Sequence, residues 1–150
     1  MPQYARPKAD EQSNTFVTQA NATSNLYAVL NEVSANDSDY IISQKNPANN
    51  VYVCALTSVT DPLVDQGHVI NFRYKKDVTV NAEQIDLIVE LRQAYANEAT
   101  PGTLICNSAA GAFANIPSAW TDGNIALSNA AAATISDYAN LHLRFVFNKP

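Results

Sequence analysis

From residue 26 onward the chain alternates apolar and polar positions in short runs, each bounded by Asn, Asp, Pro or Gly. Runs of that kind at that spacing predict the short antiparallel strands of a β-sandwich or barrel. The first predicted strand is Leu26 to Val33, closed by the polar stretch 34–39, and Tyr40 to Gln44 and Val51 to Val59 follow. In His68 to Tyr74, the residues Ile70, Phe72 and Tyr74 share one face while Asn71 and Arg73 take the other, as a half-buried strand requires. Ile85 to Tyr95 sets Ile85, Leu87, Val89 and Leu91 against Asp86, Ile88, Glu90 and Arg92; a helix can be drawn through it, but period two fits better. Thr103 to Cys106 is the next strand, and Asp122-Gly123-Asn124 reads as a turn into Ile125 to Leu127. One helix is predicted, Asn129 to Asp137, Ala-rich and N-capped by Ser128. The last run, Leu141 to Phe147, places Leu141, Leu143, Phe145 and Phe147 opposite His142, Arg144 and Val146. So marked an apolar face must be covered, which predicts a central strand. The predicted core is Ile70, Phe72, Leu87, Val89, Leu91, Leu143 and Phe145.

Residues 1–24 lack this periodicity. From Pro7 they are mostly Pro, charged, Ser, Thr and amide residues, interrupted by Phe16-Val17. Two readings stand: an extended arm that orders on binding, with Phe16 and Val17 as its partner contacts, or a short first strand within 14–18 after a frayed terminus. The division adopted is an extended N-terminal arm over 1–24 and a β-sandwich domain over 25–150.

Composition narrows the partners. The chain has 150 residues, the size of one domain, with 15% charged residues and a net charge of -5. Nine Lys and Arg against 14 Asp and Glu is the wrong balance for neutralising phosphates, so no nucleic acid partner is expected. No run approaches the roughly 20 apolar residues of a membrane span, and the first ten residues hold no apolar signal core. A soluble protein, not membrane-bound and not exported, is the expectation. Cys54 and Cys106 lie in apolar runs and are expected to be unpaired. The triplets Asn21-Ala22-Thr23 and Asn36-Asp37-Ser38 have the form of glycosylation acceptors, which an Asn-rich chain produces by chance.

Residue patterns for catalysis are sparse. His68 opens a strand and His142 falls on the polar face of the last one, with no G-x-S-x-G elbow to supply a nucleophile. The metal spacings H-x-x-x-H and C-x-x-C are missing, and four glycines form no phosphate-cradling loop. No catalytic residue, metal ligand or cofactor is predicted, and the chain is read as no enzyme. Asp37 and Asp39 flank a turn, where they either cap it or, less economically, ligate calcium. Tyr40, Tyr52, Tyr74, Tyr95, Trp120 and Tyr138 are either core or a platform on which sugar rings stack.

The segments Ile116-Pro117-Ser118-Ala119-Trp120-Thr121, Leu127 to Ala131 and Ile135 to Phe145 resemble a pattern of tailed-bacteriophage virion proteins. In that pattern a strand leads to a small Ala-rich helix and then to a D-Y-x-D/N-L-x-L-R-F strand, here Asp137-Tyr138-Ala139-Asn140-Leu141-His142-Leu143-Arg144-Phe145. Leu26 to Val33, Asp39 to Ile42, Leu56 to Pro62, Phe72 to Lys76 and Ile85 to Gln93 follow in the same order, so the resemblance spans about Leu26 to Asn148. The chain departs from it at Asn107 to Phe113, where a Trp-containing strand belongs. The resemblance implies a jelly-roll-like antiparallel β-sandwich and a capsid cement or decoration protein, often trimeric. Its implied partners are the major capsid protein and its own copies, and its place is the virion surface after synthesis in the host cytoplasm. A carbohydrate-binding or host-recognition module of a tail or fibre is the alternative on the same sandwich.

Overall fold

The computed structural model describes residues 1–77 and 83–150. Its strands are β1 Pro7–Gln12, β2 Val17–Thr18, β3 Ile41–Ile42, β4 Asn50–Leu56, β5 Val69–Tyr74, β6 Asp86–Gln93, β7 Thr103–Asn107, β8 Thr121–Ala126 and β9 Leu141–Asn148. Every pairing is antiparallel. One sheet has the order β1-β4-β9-β6-β7, and β5-β8 and β2-β3 form two-stranded ribbons.

The pairings are nested: β4 with β9, β5 with β8, β6 with β7. First meets last, second meets second-last, third meets third-last, which is a long hairpin rolled up, the topology of a jelly roll. The roll closes when β9 also pairs with β6. The β5-β8 ribbon lies as a second layer, with Phe72 edge-on to Phe145 of β9 at 6.2 Å between ring centroids. Between the layers sit Tyr52, Cys54, Ile70, Leu87, Val89 and Leu91. Of the core predicted from alternation, Phe72, Leu143 and Phe145 are half-buried at its margin and the rest are buried. β9 is central, as its apolar face demands.

The extended arm does not exist as such. β1 hydrogen-bonds along β4 as the sheet's fifth strand, and Phe16 is 2% exposed, packed between Tyr52 and Phe147 at 5.8 Å from each ring. Val17 is half-buried and pairs with Ile42. Of the short-first-strand reading, Val17–Thr18 is a strand, while the frayed terminus it assumed is β1. Asp10 explains why hydrophobic patterning missed this segment: its carboxylate accepts from Leu26 N at 2.8 Å, Tyr27 N at 2.7 Å and the Tyr52 hydroxyl at 2.9 Å. A backbone ladder and one carboxylate fasten the segment, and neither leaves an alternating apolar signature. Asn14, Asn21 and Asn25 adopt positive φ, so the amide-rich stretch is a series of tight turns.

Three elements also differ. Leu26–Val29 is a turn of 3-10 helix rather than the start of a strand, its first amides held by Asp10. Asp122-Gly123-Asn124 lies inside β8, because the Phe72 ring occupies the space where a Cβ on residue 123 would stand, 2.5 Å from the ring. The helix, α1, is Asn129–Ala132, shorter than predicted, with the Ser128 hydroxyl accepting from Ala131 N as its cap. It precedes the last strand, as expected.

His142 is the clearest reversal on the outer face. It is buried, not solvent-facing, because the hairpin joining β6 to β7 folds back and lays Tyr95 beside it, 5.8 Å between rings, while Val51, Val53, Tyr95 and Val146 form a second small apolar cluster. Burial lowers its pKa from the ordinary 6.5, opposed by Glu11 and reinforced by Lys8. A proton held less tightly in the folded state means that stability is complete above about pH 6.5 and falls as the pH drops through the lowered value. Denaturant midpoints measured across pH should show that decline in the parent protein and lose it in His142→Gln; an unchanged profile in the variant would remove the assignment. Glu98, lowered from 4.5 by its hydrogen bond to Arg144, contributes a separate loss at more acid pH.

Candidate functional site

Arg73 on β5 and Lys75 just past its end point away from the core, and two-residue periodicity places Asp122 of β8, and Trp120 just before that strand, beside them. Tyr74 pairs with Thr121 and Arg73 with Asp122, so the next step outward sets Lys75 against Trp120. The result is a two-by-two array on the outer face of the second layer. Tyr40, from the turn before β3, meets Trp120 edge-on at 5.5 Å. Lys75 Nζ stands 4.9 Å from the Trp120 ring centre and 5.9 Å from that of Tyr40, with Arg73 Cζ at 6.0 Å from Trp120.

Charge fixes this array. Arg73 donates from Nε and Nη2 to the two oxygens of Asp37 at 2.8 and 2.9 Å, and from Nη1 to Asp122 Oδ1 at 2.7 Å. The Asp122 hydrogen bond, followed by that of Asp37, raises the Arg73 pKa further above the ordinary guanidinium value. Bidentate pairing of a planar guanidinium gives geometry as well as attraction. Asp37 is thus spent on Arg73, and Asp39 accepts from Gln19 Nε2 at 2.9 Å and Asn36 Nδ2 at 3.0 Å. Neither carboxylate caps the turn as expected: Asn36 Oδ1 does, accepting from Ser38 N at 3.0 Å. Among the described residues no group of three or more His, Cys, Asp or Glu is placed to hold a metal.

Of the six aromatics considered for a sugar platform, Tyr40 and Trp120 come together at this surface. Tyr52 and Tyr95 are buried, Tyr74 packs against the core, and Tyr138 hydrogen-bonds His68 Nε2 at 2.8 Å. Cys54 and Cys106 are free thiols; burial pushes Cys54 up to about 12, so it is inert as a nucleophile. A cleft of about 350 Å³ opens beside Asp86, Ile88, Ser108 and Phe113, but Asp86, its one titratable lining residue among those described, already accepts from Asn115 N at 2.8 Å.

A second surface forms where the chain begins. The Gln3 side-chain amide exchanges two hydrogen bonds with the backbone of Thr60, at 2.9 and 2.8 Å, Thr57 N donates to Arg6 O at 2.8 Å and Arg6 N to Thr57 Oγ1 at 3.0 Å, so residues 3–6 are fastened to the segment that follows β4. Arg6 also donates to the Glu32 carbonyl, drawing Val33 toward the same end. On these tied segments and their neighbours Met1, Tyr4, Val33, Leu63 and Val64 are all exposed, Leu63 at 86% and with positive φ. Sequence reading passed over this apolar end, since its members are far apart in the chain. Comparison with protein-family models, with curated proteins and with solved structures finds no match for this chain.

Proposed function

We propose that this chain is a non-enzymatic structural protein of a tailed-bacteriophage virion, a decoration protein that binds and stabilises the capsid shell. The observation that carries the reading is the exposure of Met1, Tyr4, Val33, Leu63 and Val64, the most exposed large apolar side chains of the described residues, borne by segments that hydrogen bonds of Gln3 and Arg6 tie to residues 57, 60 and 32. Side chains of that kind exposed together are the mark of a surface covered by a partner. The partner is the major capsid protein, and the nested strand order agrees with the jelly roll that the resemblance implies. The grip falls to residues 1–6 and the β4-β5 loop, while Phe16 holds the body together.

A homo-oligomer, expected as a trimer, would cover the sheet edge left open at β7, whose residues Thr103 to Asn107 carry no charge to block pairing. Mass analysis of purified virions tests the reading: copies near-stoichiometric with the major shell protein support it, and a handful of copies moves the chain to the tail. Leu63→Asp with Val64→Asp should weaken shell binding by at least about tenfold, a loss of about 1.4 kcal/mol, with the melting temperature unchanged. Undiminished binding by that double variant would sink the docking end.

A further inference from the structure

We propose that Trp120, Tyr40, Lys75, Arg73 and Asp122 form a carbohydrate-binding site, specific for neutral pyranose glycans, on the outer face of the β5-β8 ribbon. It is a function separate from shell attachment, carried by a different surface. A pyranose has an apolar face of C–H groups and a rim of hydroxyls. It needs a π surface with donors and acceptors held at its edge, and the array supplies both.

Trp120 provides the π surface, half-exposed and in T-shaped contact with Tyr40 at 5.5 Å. Asp122 provides the acceptor: Oδ1 takes Arg73 Nη1 at 2.7 Å, its Oδ2 has no bonded donor among the described residues, and the side chain is 77% exposed. Arg73 spends three of its five N–H groups on Asp37 and Asp122, which leaves two donors in a fixed plane. Lys75 is exposed, and its ammonium makes no ion pair among the described residues. It supplies mobile donors that can swing aside as a ring stacks on Trp120. Because Arg73 is clamped by two carboxylates, the polar edge is ordered before ligand arrives, which lowers the entropic cost of binding.

Charge selects the ligand. Arg73 and Lys75 against Asp37 and Asp122 sum to zero formal charge, so no net field draws an anionic sugar, and an acidic one would meet Asp122. Neutral hexose and N-acetylhexosamine glycans are therefore the class.

Trp120 is the single tryptophan of the chain, so its fluorescence reports the site directly. The full chain is titrated with neutral hexose and N-acetylhexosamine oligosaccharides, and in parallel with sialylated and uronic-acid glycans. A saturable change in emission with a neutral glycan, little altered by salt, is expected. Calorimetry on variants with native melting should then show Trp120→Ala weakening binding at least about tenfold, Trp120→Phe retaining part of it, and Asp122→Asn weakening it several-fold. Three results overturn the proposal: no neutral glycan binding, binding confined to acidic glycans and abolished by salt, or binding that survives Trp120→Ala. None of them bears on shell attachment, which is read from virion copy number and from the Leu63 and Val64 variants.

Discussion

Phe16→Ala should cost the fold about 3 to 5 kcal/mol, the range for removing a buried aromatic ring from a packed core. The ring is 2% exposed and stands 5.8 Å from both Tyr52 and Phe147, so truncation opens a cavity against the paired strands β4 and β9. The segment that carries it cannot easily collapse into the gap. Phe16 N is tied to Ser13 O at 2.8 Å, and Val17-Thr18 is paired with β3. A urea midpoint is the measurement. A cost near zero would return residues 1–24 to the status of a detachable arm, since a residue ordered only by a partner contributes nothing to the isolated protein.

Gly102→Ala should be comparably damaging, for a backbone reason. Residue 102 has φ +68, and a Cβ there would fall 2.2 Å from the carbonyl oxygen of Gln93 and 2.6 Å from that of Ala94. The left-handed conformation alone costs an L-residue about 1 to 2 kcal/mol, and overpacking against backbone adds about 1 to 3 kcal/mol. A total of about 2 to 5 kcal/mol follows. Relief would require the hairpin to lift from the sheet, yet that hairpin carries Tyr95 and Glu98. Glu98 is held by Arg144 at 3.0 and 2.6 Å, and Tyr95 covers Val51, Val53 and Val146. Gly67→Ala is the control: its φ is +78, but nothing lies within 4 Å of the added methyl, so it should show the conformational cost alone. Equal losses for the two variants would mean that the hairpin yields without penalty.

These two sites mark the boundary between what periodicity reveals and what it hides. The strands β5 and β6 were legible because each buries one face more than the other, which writes a period of two into the sequence, and β9 was legible by the same alternation although its second face is covered too. The capped helix start at Ser128 was legible for an equally local reason, a hydroxyl reaching an amide three residues on. The all-β class and the central place of β9 followed from the same patterns.

Contacts between distant residues were decided only in the folded chain. β1 has a sequence of Pro, Lys, Ala, Asp, Glu and Gln that no alternation flags, and it is a strand because Asp10 and the β4 backbone hold it. Gly123 belongs to a strand because Phe72, 51 positions earlier, needs the space above it. His142 lies on a face that reads as polar and is buried because a hairpin folds over it. At the candidate site, Tyr40 and Trp120 were visible as aromatics, but nothing along the chain distinguishes them from Tyr52 or Tyr95. Their grouping with Arg73, Lys75 and Asp122 depends on the β5-β8 register, and that of the apolar end on the pairing of Gln3 with Thr60. Local patterns record which face of an element is buried; which elements meet is settled by register and chain closure, and function at a surface is assembled from the elements that meet.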